Sequence, residues 1–223
     1  MDLKISPQTV QVETARKLRE AIMVGYFKPG ERLVETSLCE QLGVSRTSLR
    51  ETLRVLAGER LIVLTPNRGP SIAIISAEEA DQIYHVRAIL EGELAALAAE
   101  HASDADIAEL RGALKQFEEA VAAEDPVTRL TATTDFYEVI IRCSGNWIIG
   151  DLVHGLVARI NFMRARTMAS PGRAKHSANE MARLLEAIAT HDATAARAAA
   201  VAHVQTAREE ARRIFMQTEI KKE

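Results

Sequence analysis

The chain's alanines are divided very unequally: 4 of 36 lie in residues 1–75 and 32 in residues 76–223. Alanine is the strongest helix former, so the second stretch is committed to helix before any packing is considered. From residue 77 onward β-branched alternation is almost absent. Each interruption there carries cap or turn chemistry: Ser103-Asp104, Asp125-Pro126, Ser144-Gly145-Asn146, Ser170-Pro171-Gly172 and His191-Asp192. These breaks predict an all-α antiparallel bundle of about six helices over residues 76–223. Residues 146–167 carry the clearest apolar stripe, with Ile149, Leu152, Val153, Leu156, Val157, Ile160 and Met163, and are expected to form its central helix.

Residues 1–75 obey a different grammar. An amphipathic helix is expected over residues 10–26, followed by the turn Lys28-Pro29-Gly30. Residues 36–42, a Gly43 turn and residues 45–58 then read as two short helices in a helix-turn-helix pattern. Residues 61–64 and 71–75 are β-rich and flank Thr65-Pro66-Asn67-Arg68-Gly69-Pro70, which predicts a two-stranded wing. The fold class is therefore mainly α, a winged helix-turn-helix over residues 1–75 joined closely to the bundle. Charge divides at the same boundary. The whole chain carries -3, but the front 75 residues carry 11 Lys+Arg against 8 Asp+Glu, or +3, which leaves the rest at -6.

In a helix-turn-helix the second helix enters the major groove with its N-terminal end near the bases. Here that end reads Ser45-Arg46-Thr47-Ser48-Leu49-Arg50. Arg46 and Arg50 are four apart on one face, where guanidinium forks grip guanine edges or phosphate. Ser45 doubles as the N-cap, and Thr47 adds a phosphate donor. Arg54 lies about 6 Å further along the axis and fits a backbone contact better. At the wing, Arg68 and Gly69 suit a minor groove. Arginines four apart are ordinarily a solvated face. The capped arginine helix, its partner helix and a basic-tipped wing in this order favour double-stranded DNA.

The run Pro29-Gly-Glu-Arg-Leu33, then residues 38–53 (LCEQLGVSRTSLRETL), then Glu59-Arg-Leu-Ile62 resembles the winged-helix signature of GntR-family transcription regulators. The rest is similar to the helical effector (FCD) domain of that family's FadR-type branch, closest to its VanR-like subgroup: Val86-Arg87, Leu90-Glu91, Phe136-Tyr137, Ser144-Gly-Asn146, Glu180, Glu186-Ala-Ile188, Asp192 and His203. The resemblance implies that Arg46, Thr47 and Arg50 contact operator bases and phosphates and that Arg68 with Gly69 serves the wing; with Ser45, Ser48 and Arg54 of the same helix these make the expected DNA-binding set. It implies a homodimer on a pseudo-palindromic operator controlled by a small-molecule effector, in the simplest version a repressor released when the effector binds; an activator of the same family is the alternative, and an architectural DNA binder without an effector is disfavoured because the acidic helical domain needs a job. Thr36 stands where some relatives carry an arginine. Ser48 and Thr52 replace a proline and an alanine common in the motif.

Many members of this branch hold a divalent cation through an Asp and a His four apart on one helix and a His on each of two later helices. The matching positions are Thr133, Tyr137, Met181 and His203, so no tightly bound metal is expected. Asp135 is turned about 200° from Thr133, and His176 lies five residues before Met181. A lone buried histidine is more often packed than ligating. The effector set is then Arg87, Thr133, Tyr137, Met181 and His203, suited to a bulkier organic carboxylate. Arg87 has two open readings, a carboxylate fork or an i,i+4 pair with Glu91. Of Arg164 and Arg166, at the end of the expected central helix, one could reach a pocket anion, but a solvated helix end is the favoured reading. No Gly-rich phosphate loop, HExxH, GxSxG or CxxC occurs, which argues against an enzyme. Two cysteines at no framework spacing, no signal-type N-terminus and no run of 18 apolar residues place the chain in the cytoplasm, off the membrane.

Overall fold

The computed structural model describes residues 9–220, and the chain divides into two compact units between Ile74 and Ile75. The first unit contains α1 (Thr9–Met23), α2 (Glu35–Leu42), α3 (Arg46–Gly58), β1 (Ile62–Thr65) and β2 (Gly69–Ile72). Leu18 and Ile22 of α1, Leu38 of α2 and Leu49, Leu53 and Leu56 of α3 are buried together. Their spacing of three, four and seven puts them on inward stripes, each side chain contributing about 1.5–3 kcal/mol on burial. Gly43 ends α2 in the left-handed region (φ +65°) and donates its N–H to the Cys39 carbonyl, a conformation that glycine adopts without Cβ strain.

The wing strands are displaced from the sequence reading. They pair antiparallel from Ile62 opposite Ile72 to Thr65 opposite Gly69, so β2 begins at Gly69 and takes in Pro70. Proline fits because the strand uses its carbonyl, which accepts from the Leu33 N–H at 2.9 Å. Arg32 also bridges Ser71, so the segment before α2 lines the second edge of the wing.

The second unit is built from α4 (Ala77–His101), α5 (Asp104–Ala122), α6 (Pro126–Ser144), α7 (Trp147–Thr167), α8 (Arg173–Ala189) and α9 (Ala193–Ile220). The boundaries follow side-chain caps. Ser76 accepts from the Glu79 N–H, Ser103 and Asp106 form a reciprocal capping box, Asp125 accepts from Val127 and Thr128, and Asn146 accepts from Ile149. Alanine's second role is spacing: Ala95, Ala98, Ala99, Ala196 and Ala200 are buried on α4 and α9. A Cβ on Gly92 would lie 2.9 Å from the Val201 side chain, so α4 and α9 touch nearly backbone to backbone.

This geometry corrects the expectation for α7. The central helix is α4, which packs against α6, α7, α8 and α9. Helix α7 buries Val153, Ile160 and Met163 but leaves Leu152 55% exposed, so it lies at the side of the bundle.

Candidate nucleic-acid interface and bundle interior

The N-terminus of α3 is held by Ser45, whose hydroxyl accepts from the Ser48 N–H at 3.2 Å and lies 3.0 Å from the Ser48 hydroxyl. This cap fixes the first turn while Arg46, Thr47, Arg50 and Arg54 stay exposed on the side opposite Leu49, Leu53 and Leu56. Arg50 is not idle: its Nε donates to Glu35 of α2 at 2.9 Å. Such an exposed pair contributes at most about 1 kcal/mol, so a phosphate or a guanine edge can displace the carboxylate. Arg68 is exposed at the tip of the wing between Asn67 (φ +61°) and Gly69 (φ +81°). The structure thus puts Arg46, Thr47, Arg50 and Arg54 on the exposed side of α3, with Ser45 at its cap and Ser48 half-buried in the first turn, and Arg68 and Gly69 on the hairpin of the same unit.

The bundle interior is an ionic cluster. Arg87 is 2% exposed and grips Glu91 with Nε at 2.7 Å and a second nitrogen at 3.3 Å, so the i,i+4 pair is the arrangement formed. Burial works against both charges. The opposite partner outweighs it, raising the Arg87 guanidinium and lowering the Glu91 carboxyl from their ordinary values. Glu180 of α8 receives Arg173 at 2.9 Å, His203 Nδ1 at 2.7 Å and His176 Nε2 at 3.2 Å. Burial opposes the Glu180 charge, but His203 and Arg173 hold its carboxyl below the ordinary value. Burial pushes the His203 ring below its ordinary value in spite of Glu180, so the neutral ring donates from Nδ1.

Arg164 is the residue that the sequence reading placed wrongly. It is 6% exposed rather than solvated. Its Nη1 donates to the Asn161 side chain at 2.8 Å, and its guanidinium lies 5.4 Å from the Tyr137 ring centre. Burial first and the Arg87 charge second bring it down to about 10. The signal was present in the sequence: Arg164 falls four residues after Ile160, on the stripe that continues to buried Thr167. Arg173 and Glu180 were likewise hidden by polarity although they lie on the buried side of α8.

The remaining effector candidates divide. The Thr133 hydroxyl donates back to the Arg129 carbonyl at 2.7 Å, and Met181 is packed in the core. The Tyr137 and Tyr84 hydroxyls are buried without a hydrogen-bond partner, and burial raises both phenols above their usual range. Tyr137, Arg164 and Glu91 share an internal cavity of about 20 Å³ with Thr134, Val153 and Ile160. That volume holds about one water, whereas ligand pockets run to roughly 300 Å³ or more.

Comparison with known proteins accounts for both units. The model of the bacterial regulatory proteins of the GntR family matches residues 10–72, and that of the FCD domain matches residues 82–206. The chain belongs to the GntR family. This GntR-family member is 30% identical over 206 residues to the HTH-type transcriptional regulator YdhC of Bacillus subtilis, a match covering 91% of each chain. It is 34% identical over 141 residues to the Nta operon transcriptional regulator of Aminobacter aminovorans, covering 62% of this chain and 66% of that one. The solved structure of Escherichia coli McbR/YncC has the same fold, with a TM-score of 0.77 at 24% identity over 91% of this chain and 95% of that chain. The GntR-family chain is thus a DNA-binding transcription regulator, not an enzyme.

Thr133, Tyr137, Met181 and His203 stand at the positions that the family resemblance matches to cation ligands. Thr133 is turned to its own helix backbone, Tyr137 carries a strongly protonated phenol, Met181 offers a thioether and His203 is engaged by Glu180. Among the described residues no His, Cys, Asp and Glu cluster of three or more has metal-binding geometry. No described helix is long and apolar enough to cross a membrane.

Proposed function

We propose that the protein is a cytoplasmic homodimeric repressor that leaves a pseudo-palindromic operator when the bundle takes up a small organic acid. The observation that carries this reading is the capped N-terminus of α3, which presents Arg46, Thr47 and Arg50 to solvent beside a wing tipped by Arg68. Arg46 and Arg50 read bases or phosphates, Ser45, Thr47 and Ser48 order the first turn and its phosphate contacts, and Arg54 lies along the backbone. Arg68 and Gly69 enter the adjacent minor groove.

The second copy is supported by the outer face of the bundle. Val86 and Ile89 on α4 and Trp147, Ile148 and Leu152 on α7 are between 40% and 70% exposed, on two helices that pack side by side. Large apolar side chains left exposed on bundle helices favour an interface, and a two-fold axis through it would set two reading heads on two half-sites. The effector works without a tightly bound metal, because the cluster supplies its own cations, Arg87, Arg164 and Arg173. Its binding shifts operator affinity by its differential affinity for the two states of the dimer.

Fluorescence anisotropy with operator fragments recovered by selection from random duplexes tests the reading. Specific, salt-sensitive binding by the parent and its loss in Arg46→Ala/Arg50→Ala is the expected result; equal affinity of the two proteins refutes the assignment. Calorimetric titration of metal-stripped protein with Zn²⁺ or Ni²⁺ tests the metal claim, and stoichiometric submicromolar binding abolished by changing His203 would overturn it.

A further inference from the structure

Three arginines and two glutamates are buried in the bundle: Arg87, Arg164 and Arg173 against Glu91 and Glu180. Each glutamate is committed. Glu91 takes both nitrogens of Arg87, and Glu180 takes Arg173 and the N–H of a neutral His203. Arg164 is left with an amide oxygen and an aromatic face, and among the described residues no carboxylate lies within ion-pair distance of it. An uncompensated buried charge is the costliest element a folded interior can hold, and removing its partner is more damaging than removing the pair. The interior is therefore one negative charge short.

The surroundings specify what completes it. The cavity that Arg164 shares with Tyr137 has Ile141, Val153, Val157 and Ile160 in its wall. The buried Tyr137 hydroxyl has no partner, so it is a donor available beside the guanidinium. At the edge of the cavity Glu138 of α6 and His154 of α7 are joined at 2.8 Å, both about half exposed. That pair is the surface seam between α6 and α7, and an exposed pair of this kind is cheap to break.

We propose that Arg164 is the anchor for the effector's single carboxylate, with Tyr137 as a second donor and the ligand's apolar body lodged between α6 and α7 behind the Glu138–His154 seam. This rests on the effector reading above and narrows it to monocarboxylates with an apolar body. A dicarboxylate or a phosphate dianion brings a charge for which no further cation is free in the cluster, and a neutral amide brings none. The cavity of about 20 Å³ grows when the seam opens, so the free protein is the closed state.

The test uses the full-length protein and a series of acids, acetate, butyrate, hexanoate and benzoate, each beside its primary amide, with succinate as the dianion. The readout is the melting temperature at about 10 mM additive, where a ligand at roughly ten times its Kd raises it by about 3 °C. The longer acids and benzoate should raise it, while the amides and succinate leave it unchanged. Arg164→Met should abolish the rise while melting at or above the ligand-free parent temperature, because it removes an unpaired charge. Arg164→Gln, which retains a partner for Asn161, should do the same, and Arg164→Lys should retain a reduced rise. The proposal is overturned if no acid in the series acts, if amides act equally, if Arg164→Met retains the rise, or if both neutral variants melt well below the parent. Operator binding measured on the ligand-free samples keeps the two readings apart. Its absence would sink the regulator model while leaving the carboxylate result standing.

Discussion

Arg46, Arg50, Arg54 and Arg68 of the first unit are exposed, whereas Arg87, Arg164 and Arg173 of the second are buried. The same side chain serves two electrostatic regimes. In the first unit each exposed guanidinium keeps its hydration and costs the fold little, and on the proposed function it acts on a polyanion at a distance set by salt. In the bundle each guanidinium has given up water and must be answered by a named partner. On the proposed function, the exposed arginines govern operator affinity with little effect on stability, and the bundle arginines couple stability to the ligand that completes their charge.

The sharpest way to break this contrast is to remove a buried partner. Glu91→Ala leaves Arg87 without its carboxylate and should cost about 3–5 kcal/mol, read as a lower urea midpoint. A loss below about 1 kcal/mol would mean that the cluster is wetter than its burial implies. Next in size, Arg46→Ala/Arg50→Ala should weaken operator binding by about 100-fold or more, the equivalent of two guanidinium contacts, and leave the urea midpoint unmoved. A fall in stability instead would place those arginines on the wrong side of the comparison.

The third effect is a pH dependence. His203 is depressed in the folded state from its ordinary 6.5, so above that value its contribution to stability is fully present. As pH falls below about 6.5, the unfolded chain takes up a proton that the folded one refuses, and stability declines by up to about 1.4 kcal/mol per pH unit. Glu91 and Glu180, also depressed, extend the loss as pH falls below their ordinary 4.5. His203→Gln should flatten the curve between roughly pH 6.5 and 5, and an unchanged slope would assign that titration elsewhere. The smallest effect belongs to Glu35→Gln, which frees Arg50. Stability should change by less than about 1 kcal/mol, with operator affinity rising a few-fold.

The two regimes also explain what was legible. Exposed features announce themselves in a sequence because polarity, caps and turn residues are local: the Ser45 cap, the arginine spacing, the Gly43 turn and the hairpin tip were all readable. So were the six bundle helices, because Ser103, Asp125-Pro126, Asn146 and Asp192 cap or start them. Buried function was misread because a charged residue on an apolar stripe looks like an interruption of it. Arg164 read as a solvated helix end for that reason, and Glu180 entered only as a family match. The mistaken choice of α7 as the central helix has a related cause. Its stripe is broad because it takes in Leu152, which is exposed like Trp147 and Ile148 on the same helix, and one sequence does not distinguish an exposed apolar surface from a core.

By itself, then, the sequence determined the two units, their helices and the exposed arginine face of α3, since helix propensity, capping and side-chain period act within a few residues. Only the tertiary structure decided which charges answer one another. Arg87 with Glu91 was one of two open readings, and Arg173 reaches a Glu180 that His203 also holds from another helix. Arg164 comes out one carboxylate short. Ion pairing depends on distances between helices and on the water removed between them, quantities that do not exist until the helices have packed.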